Sequence, residues 1–384
     1  MKITDVRCHR TTMGGSWLTE HVVANPMSLY PEYAAKRSSW YGKMTAAVVE
    51  VILEDGTSGC GFVGGAKGEA AANVIDEQLR ALVLGKTVFQ TELIHEQMTR
   101  ASVFYGRGGL AQCAISGIDI ALWDAKGKVL GQPVYNLLGG KTRETLKTYY
   151  TGNDPNALRD FGIKDMKIAI PYGPADGESG MRKNEEVVAK AREILGPDGF
   201  IALDVYMAWD VPYTLKMYDR IRQYRIEWIE EPVQPCDYEG YATIRRRVDT
   251  MVTGGEHEYT LEGFRRLIES GCVDIVQPDI YRAGGPTALK KIAALAKANH
   301  IKLICHGIGS PTYHFQISNG PELTPFVEYI DIYRHSTPDW VLSDDPRPAE
   351  GQLALDDRPG FGYAVNPVAF DETKKNKMRV TPIW

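Results

Sequence analysis

Six ionisable residues recur along the second half of the chain at nearly constant intervals. Asp204, Glu230, Glu256, Asp279 and His306 follow one another at 26, 26, 23 and 27 residues, and Glu328 closes the series 22 residues later. Each lies at or near the end of a short apolar run, as in FIALDV, IEWIEE, MVTGGE, VDIVQPD, KLICHG and FVEYI. One strand–helix unit of a parallel barrel has about that length, roughly 250 residues over eight units. Equivalent positions on successive strands would then converge at the carboxyl mouth, where such barrels place their chemistry. Three neighbouring carboxylates there repel one another and are driven toward protonation unless a cation compensates. Oxygen ligands alone suit a hard divalent ion, Mg²⁺ above all, with water and substrate completing an octahedron. Asp279 and His306, on the next two strands, read as a dyad in which the carboxylate fixes the imidazole tautomer and raises its basicity.

The elements that must position these groups can be read from the pattern. Strand-like runs recur at 146–151, 165–170, 200–205, 226–231, 251–256, 273–279, 302–307 and 326–330. Helical stretches such as EEVVAKAREIL, YTLKMYDRIRQY, LEGFRRLIESG and TALKKIAALAKAN fill most of the gaps. This alternation predicts an α/β fold with a parallel sheet closed into a barrel. The first third is mixed. TAAVVEVIL followed by EDGTSG predicts a hairpin, helices follow at about 67–84 and 88–102, and a long loop spans about 13–42. An apolar helix through ISGIDIALWDAKGKVLG is stopped near Pro133 and the Gly139–Gly140 pair. The tail, with DDRPGFGYAVNP, is strand-poor and predicted to fold back on the first domain.

Composition narrows the class further. The 384 residues carry a net charge of −5, so no basic field favours nucleic acid or an anionic membrane. No apolar run approaches the roughly 20 residues of a membrane span. Six cysteines without CxxC spacing read as free thiols, and the expected location is cytoplasmic.

Over nearly its whole length the chain resembles the enolase superfamily, specifically the mandelate racemase subgroup. SGIDIALWDAKGKVLGQPVYNLLGG, at 116–140, is similar to the stretch that joins that subgroup's capping domain to its barrel. The resemblance implies a modified TIM barrel, (β/α)7β, over 131–350. Above it would lie an α+β capping domain formed by residues 1–130 and the returning segment 351–384. It implies one Mg²⁺ per subunit on Asp204, Glu230 and Glu256, with Glu230 preferred over Glu231 because the first glutamate of the EEP motif is the family's ligand. It also places the His–Asp dyad on His306 and Asp279 and the last-strand glutamate on Glu328. HVVANPMSLYPEYAAKR, EYTLEGFRRLIESG, QPDIYRAGGPT and RPGFGYAVNP resemble segments of the L-rhamnonate dehydratase family, whereas HGIGSPTYHF departs from its pattern. That likeness implies a hydro-lyase for a small sugar acid, with L-rhamnonate, L-lyxonate and L-mannonate as expected substrates. Arg37 and His21 in the first loop become substrate-binding candidates, and a homo-oligomer, an octamer in size, is the implied assembly.

Many relatives carry a KxK pair on the second barrel strand, whose second lysine is a base. Here the triplet is Lys167-Ile168-Ala169, and residues two apart share one face of a strand. Ala169 therefore leaves one face of the substrate without a base, which turns the expectation from racemisation to one-base dehydration. His306 would remove the C2 proton, hydroxide would leave C3, and a 2-keto-3-deoxy acid would result. Lys167 is expected to bind the substrate carboxylate as a cation, and Glu328 to hydrogen-bond it in protonated form. The alternatives are an epimerase with a second base, such as Tyr172 or a capping-loop group, and a non-catalytic sugar-acid binder.

Overall fold

The computed structural model describes residues 1–15, 21–34, 40, 44–63, 68–330, 342–343, 345–365 and 376–378. The chain opens with an antiparallel sheet of β1 (Ile3–Gly15), β2 (Met44–Leu53) and β3 (Ser58–Val63). The predicted hairpin between β2 and β3 is present. Gly56 takes φ +87°, and the Asp55 carboxylate accepts the Thr57 amide and hydroxyl, both at 3.0 Å. β3 is built from small residues for a packing reason. A Cβ at Gly61 would lie 2.0 Å from the Gly117 carbonyl oxygen, so only glycine lets the helix Leu110–Leu130 seat against the sheet.

That helix is apolar around most of its circumference, the pattern of a segment buried on all sides. Cys113, Ile115 and Leu122 face the core of the first sheet, whereas Ile120 and Trp123 join the core of the barrel. It is shared by two hydrophobic cores, which makes it the beam between the sheet and the barrel.

The barrel comprises β4 (Thr145–Thr151), β5 (Met166–Ala169), β6 (Ile201–Asp204) and β7 (Ile226–Glu230), then β8 (Met251–Gly254), β9 (Ile275–Val276), β10 (Lys302–Leu303) and β11 (Val327–Tyr329). They pair in parallel in the order β10-β9-β8-β7-β6-β5-β4-β11, and a helix follows each of the first seven. At the seam, the Leu303 amide donates to the Leu323 carbonyl at 2.8 Å. This is the modified TIM barrel expected from the sequence. β9 and β10 are shorter than their apolar runs suggest. Pro278 has no amide to continue the ladder, so Asp279 and His306 meet beyond it in an isolated parallel bridge. Tyr149, Ala202, Trp228, Ile275 and Ile304 pack together inside the barrel and fill it below the mouth.

The C-terminal segment returns to the first sheet, with Asn376–Met378 pairing parallel to β1 and Gln352–Ala354 antiparallel to β4. Asp124, fully buried, ties these parts together. Its carboxylate accepts the Cys60 amide at 2.9 Å and the Phe361 amide at 2.8 Å, and pairs with Lys128 at 2.7 Å. Among the described residues all six cysteines are free, and no helix is long and apolar enough to cross a membrane.

Removing the Asp124 carboxylate strands two buried amides and an ammonium. Asp124→Ala is therefore expected to destabilise the protein by about 2–4 kcal/mol, read as a lowered thermal midpoint. An unchanged midpoint would show that the tail does not depend on this clamp.

Candidate active site

Side chains alternate across each barrel strand, so Ala202 and Asp204, Trp228 and Glu230, and Ile275 and Gln277 share inward faces. The strand register sets Ala169, Asp204 and Glu230 side by side at the mouth. Lys167 lies one layer deeper and is fully buried. Its Nζ is 2.8 Å from Glu230 Oε1 and 2.9 Å from Glu328 Oε1. Burial alone would lower its pKa, but Glu230 and Glu328 outweigh burial and raise it well above the usual lysine value. An isolated buried ammonium would be prohibitively costly, and the two glutamates are its compensation.

Glu328 lies on the other side of Lys167. It accepts the Thr151 hydroxyl and the Gly307 amide, each at 2.5 Å, in addition to Lys167. Burial pushes its pKa up, but Lys167 and His306 hold it below the ordinary glutamate value. Its carboxylate is surrounded by donors, as suits the ionised form.

Asp204 and Glu230 lean the other way. Burial, opposed by Lys167, lifts Asp204 to about 6 and Glu230 to about 8, with neighbouring carboxylates adding to the rise. Asp204 Oδ1 is buried without a hydrogen-bond partner, while Glu230 Oε2 accepts from Gln277 Nε2 at 2.8 Å. Unpartnered and mutually repelling carboxylate oxygens are the donor chemistry that a hard divalent cation satisfies. Asp204 and Glu230 offer donor chemistry of that kind, whereas among the described residues the ligand atoms of Asp204, Glu230 and Glu256 do not all lie within 4.8 Å of one another.

Glu256 is turned toward positive neighbours. Its Oε1 is 2.8 Å from Arg282 Nη1, 3.4 Å from His306 Nε2 and 3.7 Å from His257 Nε2. Burial raises its pKa, yet His306, His257 and Arg282 bring it well below the usual value. Consequently, among the described residues, the acidic and histidine groups whose ligand atoms all fall within 4.8 Å of one another are Glu231, Glu256 and His257. Glu256 belongs to both this set and the predicted trio.

The predicted dyad is assembled. His306 Nδ1 is 3.1 Å from Asp279 Oδ2, which Arg282 Nε also contacts at 3.0 Å. Burial alone would lower the His306 pKa, but Glu256, Glu328 and Asp279 lift it to about 9. A second carboxylate–imidazole pair lies near the same Glu256 oxygen, with His257 Nδ1 2.6 Å from Glu231 Oε2. Glu231 reaches this place because the chain turns at φ +43° just past β7, so both glutamates of EEP serve the mouth.

His257, Arg282 and Gln277 escaped the sequence reading, and Glu231 entered it only as the alternative to Glu230. Their signals were present in the EEP doublet, in the histidine of GGEHE, and in the residues flanking Asp279 in QPDIYR. Arg37 lies outside the described residues. His21 sits beyond β5 with Nδ1 2.9 Å from the Ala34 carbonyl and Nε2 2.7 Å from that of Pro171. Backbone carbonyls thus engage both of its ring nitrogens. His314, in the divergent HGIGSPTYHF, is a buried support that accepts the Tyr135 amide at 3.1 Å, and burial lowers its pKa to about 3.

Comparison with known proteins identifies the family. Residues 20–139 match the mandelate racemase / muconate lactonizing enzyme N-terminal domain, and residues 155–369 match the enolase C-terminal domain-like family. An L-rhamnonate dehydratase of Saccharopolyspora erythraea is 39% identical over 96% of this chain and 97% of its own length. A putative L-rhamnonate dehydratase of Caldivirga maquilingensis is also 39% identical, over 95% of this chain and 94% of its own. A crystal structure of rhamnonate dehydratase from Gibberella zeae complexed with Mg superposes with a TM-score of 0.88. It is 38% identical, covering 96% of this chain and 95% of that one. The two-domain architecture, the carboxylate-lined barrel mouth and the matches across both domains place this chain in the enolase superfamily, in its mandelate racemase branch.

Proposed function

We propose that the protein is a Mg²⁺-dependent sugar-acid dehydratase acting on L-rhamnonate or a close analogue such as L-lyxonate or L-mannonate. The observation that carries this reading is the Asp279–His306 dyad beside a carboxylate cluster, with Ala169 where a strand-borne base would stand. Likeness to rhamnonate dehydratases over both domains supports the substrate class. A divalent ion on Asp204, Glu230 and Glu256 would supply the charge that makes a proton α to a carboxylate removable near neutral pH.

His306 would take the C2 proton at Nε2, while Asp279 on Nδ1 fixes the tautomer and Arg282 holds Asp279. The C2–H electron pair becomes the C2–C3 double bond as the C3–O bond breaks. The departing hydroxide leaves as water with a proton from an imidazolium, and the enol becomes a ketone as C3 gains a proton. The second pair, Glu231–His257, is our candidate for the acid that assists this departure. Lys167, enclosed by Glu230 and Glu328, would first have to release one of them to bind the substrate carboxylate. Arg37 is proposed to read the substrate from the capping loop. His21 would first have to release a backbone carbonyl to do the same.

Epimerisation is a second reading, and the Glu231–His257 pair is the observation that favours it, because it offers another oriented imidazole. Proton NMR of the product from L-rhamnonate with Mg²⁺ separates the two. Dehydration predicts loss of water and a new C3 methylene, whereas a sugar acid inverted at C2 would replace this proposal with epimerisation. Chelation by EDTA should abolish turnover and added Mg²⁺ restore it, and turnover that resists chelation would remove the metal from the account. His257→Asn should slow dehydration by about 10²–10⁴-fold while C2 hydrogen exchange in D₂O continues. Unimpaired dehydration in that variant would leave His257 a structural partner of Glu231.

A further inference from the structure

The loop that carries Asp279 and Arg282 is anchored from outside the barrel. It runs into the helix Gly285–Ala298, whose N-cap, Gly284, has no side chain to satisfy the first amides. The helix Leu110–Leu130 supplies what is missing. Asp119 Oδ2 accepts the Thr287 amide at 2.9 Å and Oδ1 accepts its hydroxyl at 2.7 Å. Ser116 Oγ accepts the Gly284 amide at 2.9 Å, and Trp123 Nε1 donates to Thr287 Oγ1 at 2.9 Å. Approach is close enough that a Cβ at Gly285 would lie 2.5 Å from Asp119 Oδ2.

The same short segment is tied at its other end to the chemistry. The Asp279 carbonyl accepts the Ala283 amide at 2.8 Å and the Ile280 carbonyl accepts that of Gly285 at 3.2 Å, so a tight turn links dyad and anchor. Arg282, inside that turn, spans Asp279 and Glu256. A displacement of Gly284–Thr287 is therefore transmitted to both groups that face His306.

We propose that Asp119 is a positioning residue for the reaction, holding the Asp279–Arg282 turn in register with His306 through its bonds to Thr287. The inference rests on the dyad reading given under Proposed function. It assigns the first domain's helix a part in catalysis that is separate from any contact of that domain with substrate. Fixed placement of reacting groups is worth a large factor, since a shift of about 1 Å costs on the order of 10²-fold in rate. Burial lifts the Asp119 pKa to about 7 against the opposing hydrogen bonds of Thr287, so an amide is a near-isosteric stand-in for the acid.

The test compares Asp119→Ala, Asp119→Asn and Thr287→Val with the unaltered protein on L-rhamnonate with Mg²⁺, and measures amide hydrogen exchange of 279–287 without substrate. Asp119→Ala and Thr287→Val should lower kcat by about 10²-fold with KM little changed. They should speed exchange in 279–287, and Asp119→Asn should restore most of both. A wild-type kcat in the alanine and valine variants, or a lost kcat without faster exchange in that segment, would overturn the proposal. If Asp119→Ala does not fold, Thr287→Val decides by the same two readouts. Failure of the unaltered protein to dehydrate any sugar acid would instead count against the functional reading, and the exchange data would still judge the clamp.

Discussion

A fully buried lysine between two fully buried glutamates is the constraint around which the barrel mouth is organised. Lys167 can be charged inside the barrel because Glu230 and Glu328 face it, and they can be crowded there because it is charged. The balance is uneven. Glu328 has three donors and its pKa is held below the ordinary glutamate value, while burial and neighbouring carboxylates raise those of Glu230 and Asp204. On the far side, Arg282 and two histidines gather on Glu256. The mouth is thus divided, with Asp204 and Glu230 beside Lys167 on one side and Arg282, His306 and His257 around Glu256 on the other.

Much of this was legible because barrels repeat. The near-constant spacing from Asp204 to His306 exposed the strand ends, and period-2 alternation then fixed which residues face inward. What the spacing could not convey was departure from regular strand. Glu231 reads as the outward neighbour of Glu230, yet its left-handed turn returns it to the mouth. Pro278 lacks the amide that would carry the β9 ladder on, so Asp279 and His306 pair in an isolated parallel bridge beyond the regular strands. Lys167 was read from the Lys167-Ile168-Ala169 triplet as a cation for the substrate carboxylate. Its role as counter-charge depends on Glu328, far away in the chain, and no local pattern reports such a pairing.

The first domain enters the account through one helix. Leu110–Leu130 packs on β3 with one face and on the barrel with another, and its polar residues are placed where the two units meet. Asp124 reaches the sheet and the returning tail, while Asp119 reaches the turn that carries Asp279. The motif that most clearly signals the family is therefore also the segment through which the outer sheet and the C-terminal return are coupled to the catalytic end of the barrel.

The claim on which the rest depends is that a single oriented imidazole removes the C2 proton. Incubation of His306→Asn with L-rhamnonate and Mg²⁺ in D₂O tests it most directly, with C2 deuterium and 2-keto acid followed together by NMR. The account predicts loss of both exchange and dehydration in a protein that remains folded. Full dehydration by that variant would contradict it.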